Sequence, residues 1–505
     1  MLGLSRSRAG LRVVPTVRRT LVRGAPPQTD ESSLHVNYIS TRGRAPVLGF
    51  EDVLLAGLAR DGGLYLPESW PRPATDLPFA GRSFADVATD VILPFTGGAL
   101  TRAQLHGMAE AAYGSFGHPA TTPLVQIDPK TFVLELFHGP TLAFKDVAMQ
   151  LLARMMDHVL AKRGQRATIV GATSGDTGGA AIEAFRSSER VDVVILFPEG
   201  RVSDVQRRMM TTPTEKSVHA VAVKGTFDDC QALVKAMFND HAFRDRVALS
   251  GVNSINWGRI VAQVTYYFVA AAALGAPNRK VAFSVPTGNF GDIFAGYVAK
   301  KMGLPIEMLV IGSNQNDILP RTLESGVYEM RGVTATSSPS MDIQISSNFE
   351  RFLFEASGRD ADLVARQMQM LVQGRRFELT PGQAQSLRDD FGAGAASEAD
   401  VAATIRDTLA KSGYLLDPHT ACGVYAAKTA LDGKVSDDTA RVVLATAHPA
   451  KFPDAMQEIT GARPGLPARL SSLMTDPERF PVLGNDLKEV EDFVETVSRA
   501  AGAPA

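Results

Sequence analysis

Apolar and polar positions follow two different periods along the middle of the chain. Short apolar runs predict strands, and longer stretches with apolar residues three or four positions apart predict helices. The predicted strands are Ala167–Ala172, Val191–Phe197, His219–Val223, Lys280–Val285, Ile306–Ile311 and Arg441–Ala445. The predicted helices include Asp229–Phe243, Gly258–Leu274 and Asp292–Met302. This alternation predicts an α/β protein with a parallel sheet covered by helices, a class that places ligands at the carboxyl ends of its strands.

A later interval, residues 360–412, has a different composition. It is rich in Ala, Gln and Arg, and Ser397 with Asp400 matches a capping box at the start of a helix. We predict that this interval is a helical insertion or cover.

Composition and charge place broad limits on function. The chain has 505 residues, 45% hydrophobic and 21% charged, so it belongs to the globular class and is long enough for two to four folding units. A formal net charge of −2 argues against a nucleic-acid binder held by charge. That total hides an asymmetry, because residues 1–29 contain six arginines and no acidic residue, and the remainder therefore carries −8.

The arginine-rich start of the chain permits two interpretations of equal weight. Transit peptides are rich in Arg and Ser and poor in acids, which favours mitochondrial or plastid import, although Pro15, Pro26 and Pro27 weaken a helix there. The alternative is that these residues form an unstructured tail, or that they result from an upstream start codon wrongly included in the gene model. We expect a cytoplasmic protein with a dispensable, disordered extension over residues 1–33.

Membrane and metal chemistry have little support in the sequence. The most apolar segment, Phe268–Ala276, is shorter than the roughly 20 residues of a membrane span and is typical of the end of a buried helix. Cys230 and Cys422 lie far apart without a CxxC pattern, so neither a disulfide framework nor a zinc site is expected. We expect a reducing compartment, no metal, no membrane and no nucleic acid.

Two segments have the pattern strand, glycine-rich turn, helix. In the first, a strand from Ala167 leads into Thr173-Ser-Gly-Asp-Thr-Gly and a helix; in the second, a strand ending at Pro286 leads into Thr287-Gly-Asn-Phe-Gly. Amides at such helix starts can bind anions. Neither loop matches a Walker phosphate loop or a dinucleotide-binding fingerprint. For the first loop, a tight turn that needs glycine only for its backbone geometry has the same weight as an anion site. Together the two turns indicate a ligand with more than one negative group.

One lysine and one histidine are further candidates. Lys145 lies among apolar and aromatic neighbours where a helix is predicted to start, and burial lowers the pKa of such an amine, as a covalent bond to pyridoxal phosphate requires. The alternative is a surface lysine paired with Asp146, which this segment alone would favour. His448 follows the last predicted strand and is more often structural than catalytic in such a position.

Taken together, these segments resemble the threonine synthase family. The blocks that carry the resemblance are His138–Asp146 (HGPTLAFKD), Thr173–Gly178 (TSGDTG), Pro286–Asp292 (PTGNFGD) and Thr446–Phe452 (TAHPAKF), supported by Tyr38–Gly43, Asp61–Pro67, Val252–Arg259, Ser346–Arg351 and Leu416–Ala421. The resemblance covers roughly residues 36–460 and is to the longer form of the enzyme, which has the helical insertion.

The resemblance implies a fold and a division into domains. The fold is that of the tryptophan synthase β chain (fold type II of the pyridoxal-phosphate enzymes), with two α/β domains and the cofactor between them. The implied parts are a basic extension (1–33), an N-terminal region (34–130), a large cofactor-binding domain (131–165 and 280–460, with the insertion 360–412), a small domain (166–279) and a C-terminal tail (461–505).

The resemblance also implies roles for individual residues. Lys145 would bind the cofactor covalently and act as the catalytic base. Thr446 would offer its hydroxyl to the pyridine nitrogen. The residues expected to hold the cofactor phosphate are Gly288, Asn289, Phe290 and Gly291. The residues expected to face the substrate are Ser174, Gly175, Asp176, Thr177, Asn256 and Arg259, the last two on its phosphate side.

The implied reaction converts O-phospho-L-homoserine and water into L-threonine and phosphate. Two alternatives stay open: a related phospho-lyase that releases 2-oxobutyrate without adding water, and a non-catalytic relative, which the intact Lys145 argues against. The expected partner is this small-molecule substrate, and the expected assembly is a monomer or a small homo-oligomer.

Overall fold

The computed structural model describes residues 35–72 and 79–501; the basic segment 1–33, predicted to be disordered, lies outside this range. The strands are β1 Tyr38–Ser40, β2 Tyr65–Pro67, β3 Leu124–Gln126, β4 Thr131–Glu135, β5 Ala167–Ala172, β6 Val191–Pro198, β7 Val218–Val223, β8 Leu249–Ser250, β9 Val281–Pro286, β10 Ile306–Ser313, β11 Val327–Glu329, β12 Arg376–Glu378, β13 Phe391–Ala395, β14 Ala440–Ala445 and β15 Val482–Leu483. All six predicted strands are confirmed within two residues at each end.

The helices include every predicted one. They are α1 Phe50–Ala56, α2 Phe84–Ile92, α3 Arg102–Tyr113, α4 Lys145–Arg163, α5 Asp176–Phe185, α6 Asp204–Thr211, α7 Phe227–Asn239, α8 His241–Arg246, α9 Trp257–Ala273, α10 Gly291–Lys301, α11 Ile318–Ser325, α12 Phe349–Ala356, α13 Ala361–Gly374, α14 Pro381–Asp390, α15 Glu398–Ser412, α16 Pro418–Leu431, α17 Pro453–Thr460 and α18 Leu487–Val497. The stretch predicted as one helix from Asp229 to Phe243 is divided into α7 and α8, because Asp240 caps the start of α8.

Two sheets carry the α/β architecture. The larger has the order β13-β10-β9-β14-β4-β3, and all its neighbouring strands are parallel except β3 and β4. The smaller has the order β15-β7-β6-β5-β8 and is parallel throughout. Both sheets place the ends of their strands next to helix starts, the arrangement in which α/β proteins bind ligands.

The interval 360–412 and the C-terminal segment both contribute to these sheets. The interval is mostly helical, as predicted, and the capping box of Ser397 with Asp400 is present. It also supplies β13, which pairs with β10 at the edge of the larger sheet. Its sequence, FGAGA, has little intrinsic strand preference, so the neighbouring strand decides its conformation. In the C-terminal segment, β15 joins β7 of the smaller sheet.

Helix α9 lies at the centre of the core. Fourteen of its residues are buried, including Trp257, Tyr266 and Phe268, and a helix that is apolar all round must be enclosed on every side. This confirms that the segment beginning at Phe268 ends a buried helix. Within the ranges given above, no helix combines the length and apolar content needed to cross a bilayer.

Candidate active site

Lys145 is the first residue of α4, and the loop before it is fixed to the end of β14. The backbone amide of Phe144 donates to the carbonyl of Thr446 over 2.8 Å, and Ala143 forms an isolated bridge with Ala447. The carboxylate of Asp146 accepts from the Thr141 amide and hydroxyl at 2.7 and 2.6 Å. Lys145 and Thr446, 301 positions apart in the chain, are therefore brought to the same place.

The side chain of Lys145 is buried, not paired with Asp146 at the surface. It is 8% exposed, and its Nζ lies 4.9 Å from the centre of the Phe144 ring and 3.3 Å from Oδ2 of Asp176. Burial lowers the pKa of this amine from its ordinary value, Asp176 acts in the opposite direction, and the cations Lys451 and Arg259 lower it further. A lowered pKa increases the fraction of the amine that is uncharged and so able to act as a nucleophile or a base.

The loop between β9 and α10 presents its amides outward. Within the described part of the chain, the N–H groups of Gly288, Asn289, Phe290 and Gly291 donate to no other residue. The carbonyl of Gly288 accepts from the Ser346 hydroxyl at 2.6 Å, and that of Asn289 accepts from the amide side chain of Asn348 at 3.0 Å. Because the carbonyls are held on the other side, the free amides form a cradle for an anion.

The shape of this loop depends on two special positions. A Cβ atom on Gly288 would lie 2.9 Å from the backbone oxygen of Ser340, so only glycine fits there. Phe290 has a positive φ of 61°, and its ring is held against Phe349 and Phe391 at centroid distances of 5.4 Å each. Packing of the ring thus stabilises a backbone conformation that a non-glycine residue rarely adopts.

The turn between β5 and α5 is built differently. The hydroxyl of Thr173 accepts from the amides of Gly175 and Gly178, both at 2.9 Å. Gly175 has a φ of 138°, and a Cβ atom on it would overlap the side-chain amide of Gln206. Elsewhere in this turn, the amides of Ser174, Asp176 and Thr177 donate to no other described residue.

Asp176 is the most highly connected side chain of the site. Its Oδ1 lies 2.6 Å from Nζ of Lys451 and accepts from Nε2 of Gln206 at 3.0 Å. Its Oδ2 faces Nζ of Lys145 at 3.3 Å and the hydroxyl of Ser340 at 3.4 Å. Burial opposes ionisation, but the two lysines outweigh it and hold the pKa of the Asp176 carboxyl well below its ordinary value.

The remaining predicted residues lie in different surroundings. Thr446 is buried, and in the part of the chain described here its hydroxyl has no hydrogen-bond partner. Asn256 has both polar atoms bound within the protein: Nδ2 donates to the carbonyls of Leu54 and Gly251 at 2.9 and 3.2 Å, and Oδ1 caps α9 at Gly258. Asn256 therefore holds the start of α9 against α1. Its one remaining capacity to bind a ligand is a spare lone pair on Oδ1.

Arg259 is a buried cation with few partners. It is 2% exposed, its Nη1 donates to the carbonyl of Val252 at 3.2 Å, and its Nε has no partner among the described residues. Burial lowers its pKa to about 10. An arginine in this state is able to bind an additional anion, because guanidinium N–H groups match phosphate oxygens well.

Sequence reasoning assigned no role to five residues that shape the site. Lys451, Ser346 and Asn348 lie inside the blocks that carry the family resemblance, so position in a block was the available signal. Gln206 and Ser340 had no such signal, because their contacts with the Asp176 turn are formed only by folding.

The residues of the site fit pyridoxal phosphate. This cofactor has an aldehyde, a phosphate and a pyridine nitrogen. The buried amine of Lys145 suits the aldehyde, the unpaired amides from Gly288 to Gly291 suit the phosphate, and the unpaired hydroxyl of Thr446 suits the ring nitrogen.

Family models match nearly the whole described chain. The model "Pyridoxal-phosphate dependent enzyme" matches residues 116–447, "Threonine synthase N terminus" matches residues 37–113, and "Threonine synthase, C-terminal" matches residues 420–494. The chain is therefore a pyridoxal-phosphate enzyme, and the fold expected from the resemblance is confirmed.

Individual relatives agree with the family models. A threonine synthase from Pseudomonas aeruginosa is 50% identical over 91% of this chain and 98% of its own. The crystal structure of a pyridoxal-phosphate-bound threonine synthase from Brucella melitensis is 61% identical, covers 92% of this chain and 100% of its own, and superimposes with a TM-score of 0.89. The yeast threonine synthase structure is 38% identical, covers 92% and 99%, and has a TM-score of 0.86. The chain belongs to the threonine synthase family.

Proposed function

We propose that this enzyme converts O-phospho-L-homoserine and water into L-threonine and phosphate, with pyridoxal phosphate as its cofactor. The observation that carries the proposal is the buried amine of Lys145 beside an anion cradle and the unpaired hydroxyl of Thr446. In the overall reaction, phosphate leaves the γ carbon of the substrate and water adds at the β carbon. The bound cofactor supplies the delocalisation of the electron pair left at the α carbon.

Lys145 has the central chemical role. The amine of Lys145 would hold the cofactor and, when free of it, would remove the α proton and later a proton from the β carbon of the substrate. Both steps need an uncharged amine, and the burial of Lys145 and the cations Lys451 and Arg259 favour that form. The loop from Gly288 to Gly291 anchors the phosphate of the cofactor, so the reacting atoms keep their position through both proton transfers.

The substrate is held by groups from the smaller sheet and α9. The free amides of Ser174, Asp176 and Thr177, at the start of α5, face the substrate carboxylate. Gly175 permits the turn that aligns these amides. Arg259 binds the substrate phosphate, and Asn256 supports it by fixing the start of α9.

Thr446 directs the reaction towards elimination. Its hydroxyl is neutral and does not hold a proton on the ring nitrogen as an acid would. We therefore expect Thr446→Asp to divert turnover towards transamination, measured as 2-oxo acid and aminated cofactor; unchanged partitioning would contradict this role.

Product analysis tests the function against its nearest alternative. Purified holoenzyme is incubated with O-phosphohomoserine, and phosphate, threonine and 2-oxobutyrate are measured together. Equal amounts of threonine and phosphate are expected. Phosphate with 2-oxobutyrate and no threonine would establish the phospho-lyase instead.

Borohydride reduction tests the lysine assignment independently of turnover. Reduction of the holoenzyme followed by peptide mass spectrometry is expected to place the cofactor on Lys145. The matched control is Lys451→Arg, which keeps a cation at the second buried lysine and should leave the labelled position unchanged. A label on Lys451 would contradict the assignment.

We also propose a cytoplasmic location and a monomer or small homo-oligomer. Both cysteines, Cys230 and Cys422, are buried and unpaired, which fits a reducing compartment. Cell fractionation and light scattering of the purified enzyme test the two statements separately.

A further inference from the structure

Lys451 is a second buried lysine in the site, and in the reaction derived above it enters only through its charge. It is 1% exposed and lies in the short turn Pro449–Lys451 that follows β14. Its Nζ donates to the carbonyl of Thr141 at 2.8 Å and lies 2.6 Å from Oδ1 of Asp176. Burying a lysine is costly unless its charge is compensated, so the carboxylate of Asp176 is the group that makes this position tolerable.

The position of Lys451 is fixed from several directions. His448 caps the turn, because its Nδ1 accepts from the amide of Ala450 at 3.1 Å. The hydroxyl of Ser203, at the start of α6, donates to the carbonyl of Lys451 at 3.3 Å. Since Thr141 is in turn bound to Asp146, next to Lys145, the two lysines are held on one connected frame.

The carboxylate of Asp176 is shared unequally between the two lysines. Its separation from Lys451 is 2.6 Å and from Lys145 is 3.3 Å. A carboxylate beside Lys145 stabilises the ammonium form, which cannot accept a proton. Without a second cation, Asp176 would therefore hold Lys145 in the form that is inactive as a base.

We propose that Lys451 is a positioning residue that binds the carboxylate of Asp176 and so keeps the nitrogen of Lys145 in its uncharged form. This inference rests on the proposed function, in which Lys145 is the base. Lys451 acts in two ways at once: it neutralises the nearby anion, and it adds a positive charge that disfavours a second one on Lys145.

Other charged groups also lie near the two lysines. Arg259 on α9 and Asp292 on α10 act on Lys145, and Asp146 on α4 acts on Lys451. Asp292 accepts from the hydroxyl groups of Tyr266 and Tyr267, and Asp146 is bound to Thr141. His419 on α16 faces Asp176 and is oriented by Asp417. Asp176 is thus the anion whose compensation matters most for Lys145.

The proposal predicts opposite effects for two substitutions. In the holoenzyme, the absorption of the bound cofactor changes with pH as the nitrogen of Lys145 gains or loses its proton. Lys451→Met removes a cation and leaves Asp176 unpaired, so the midpoint of this spectral change should move to higher pH by about one to two units. Asp176→Asn should move it to lower pH, and Lys451→Met combined with Asp176→Asn should return it to within about half a unit of the wild type.

Controls separate this role from a purely structural one. Lys451→Arg keeps the cation and should leave the spectral midpoint close to that of the wild type. The acid limb of kcat, which reports the freed amine of Lys145, should move in the same direction as the spectral midpoint in every variant. Thermal unfolding of each holoenzyme shows whether it is folded; if Lys451→Met is not, Asp176→Asn should still lower the midpoint and Lys451→Arg should still leave it unchanged.

Two results would overturn the proposal. One is a Lys451→Met holoenzyme that is folded and has an unchanged midpoint. The other is a double variant that keeps the full shift of Lys451→Met, since the carboxylate of Asp176 would then play no part in the effect of Lys451. The spectral measurement needs no turnover, so it remains valid even if the product analysis contradicts threonine synthesis.

Discussion

The two glycine-rich turns of this enzyme look alike in sequence and differ in how they use their backbone. The loop after β9 has its carbonyls bound by Ser346 and Asn348, and its amides are free over four consecutive residues. The turn after β5 commits two of its amides to the hydroxyl of Thr173 and carries the ionised side chain of Asp176. We expect the first to hold the phosphate of the cofactor, whereas the second leaves the amides of Ser174, Asp176 and Thr177 without a partner in the described structure.

This difference shows that a strand, a glycine-rich turn and a helix start define an anion site only in outline. How strongly such a turn binds an anion depends on what its carbonyls are bound to and on whether side chains already accept hydrogen bonds from its amides. Both are set by the tertiary structure. We therefore expect changes in the first loop to affect cofactor binding, and changes in the second to affect substrate binding.

The largest effect is expected from Gly288→Ala. The new Cβ atom would lie 2.9 Å from the carbonyl oxygen of Ser340, and a backbone atom cannot move aside cheaply. Overpacking of this kind costs about 2 kcal/mol, so cofactor affinity should fall about 30-fold, measured by titration of the apoenzyme. Gly107→Ala in α3, where a Cβ atom meets open space, is the matched control. Normal affinity in Gly288→Ala would show that the cradle is not the phosphate site.

Thr173→Val is expected to have a smaller effect, and on the KM for the substrate rather than on cofactor affinity. Valine keeps the shape of the side chain but removes the oxygen that accepts from two amides, and each such bond contributes about 0.7 kcal/mol. The KM for O-phosphohomoserine should rise about tenfold, while cofactor affinity stays within about twofold of the wild type. Thr173→Ser retains the hydroxyl and should behave normally. If Thr173→Val instead weakened cofactor binding with KM unchanged, the proposed division between the two turns would be wrong.

The smallest effect is expected from Ser346→Ala. The variant loses the hydroxyl that holds the Gly288 carbonyl at 2.6 Å, a bond worth about 1 kcal/mol. Cofactor affinity should fall about fivefold with KM unchanged, as measured by titration and by steady-state rates. Ser347→Ala is the control at the adjacent position, since in the described structure the Ser347 hydroxyl makes no hydrogen bond. Equal effects of the two variants would mean that the carbonyl contact does not shape the loop.

Much of the fold could be predicted from sequence because its signals are local. Strands such as Ala167–Ala172 are confirmed at both ends, since a buried parallel strand needs a continuous apolar run and a turn residue after it. Strand β13 could not be predicted, because its FGAGA sequence becomes a strand only beside β10.

Parts of the candidate site could be picked out in the sequence for the same reason, whereas the roles of these residues come from the family resemblance and stay predictions. Lys145 and the loop from Gly288 to Gly291 were visible as an unusual residue in an apolar segment and as a glycine-rich helix start. The environment of Asp176 was not visible: its partners Lys145, Gln206, Ser340 and Lys451 come from four separate segments.

By itself the sequence determined the elements and the order of the chemical groups along the chain, because hydrophobic period and residue type act over a few neighbouring positions. The tertiary structure alone decided which charges meet. A buried carboxylate and two buried lysines act on one another over distances of about 3 Å, although Asp176 lies 31 residues from Lys145 and 275 residues from Lys451 in the chain. The charge state of Lys145, on which the chemistry depends, is therefore a property of the fold.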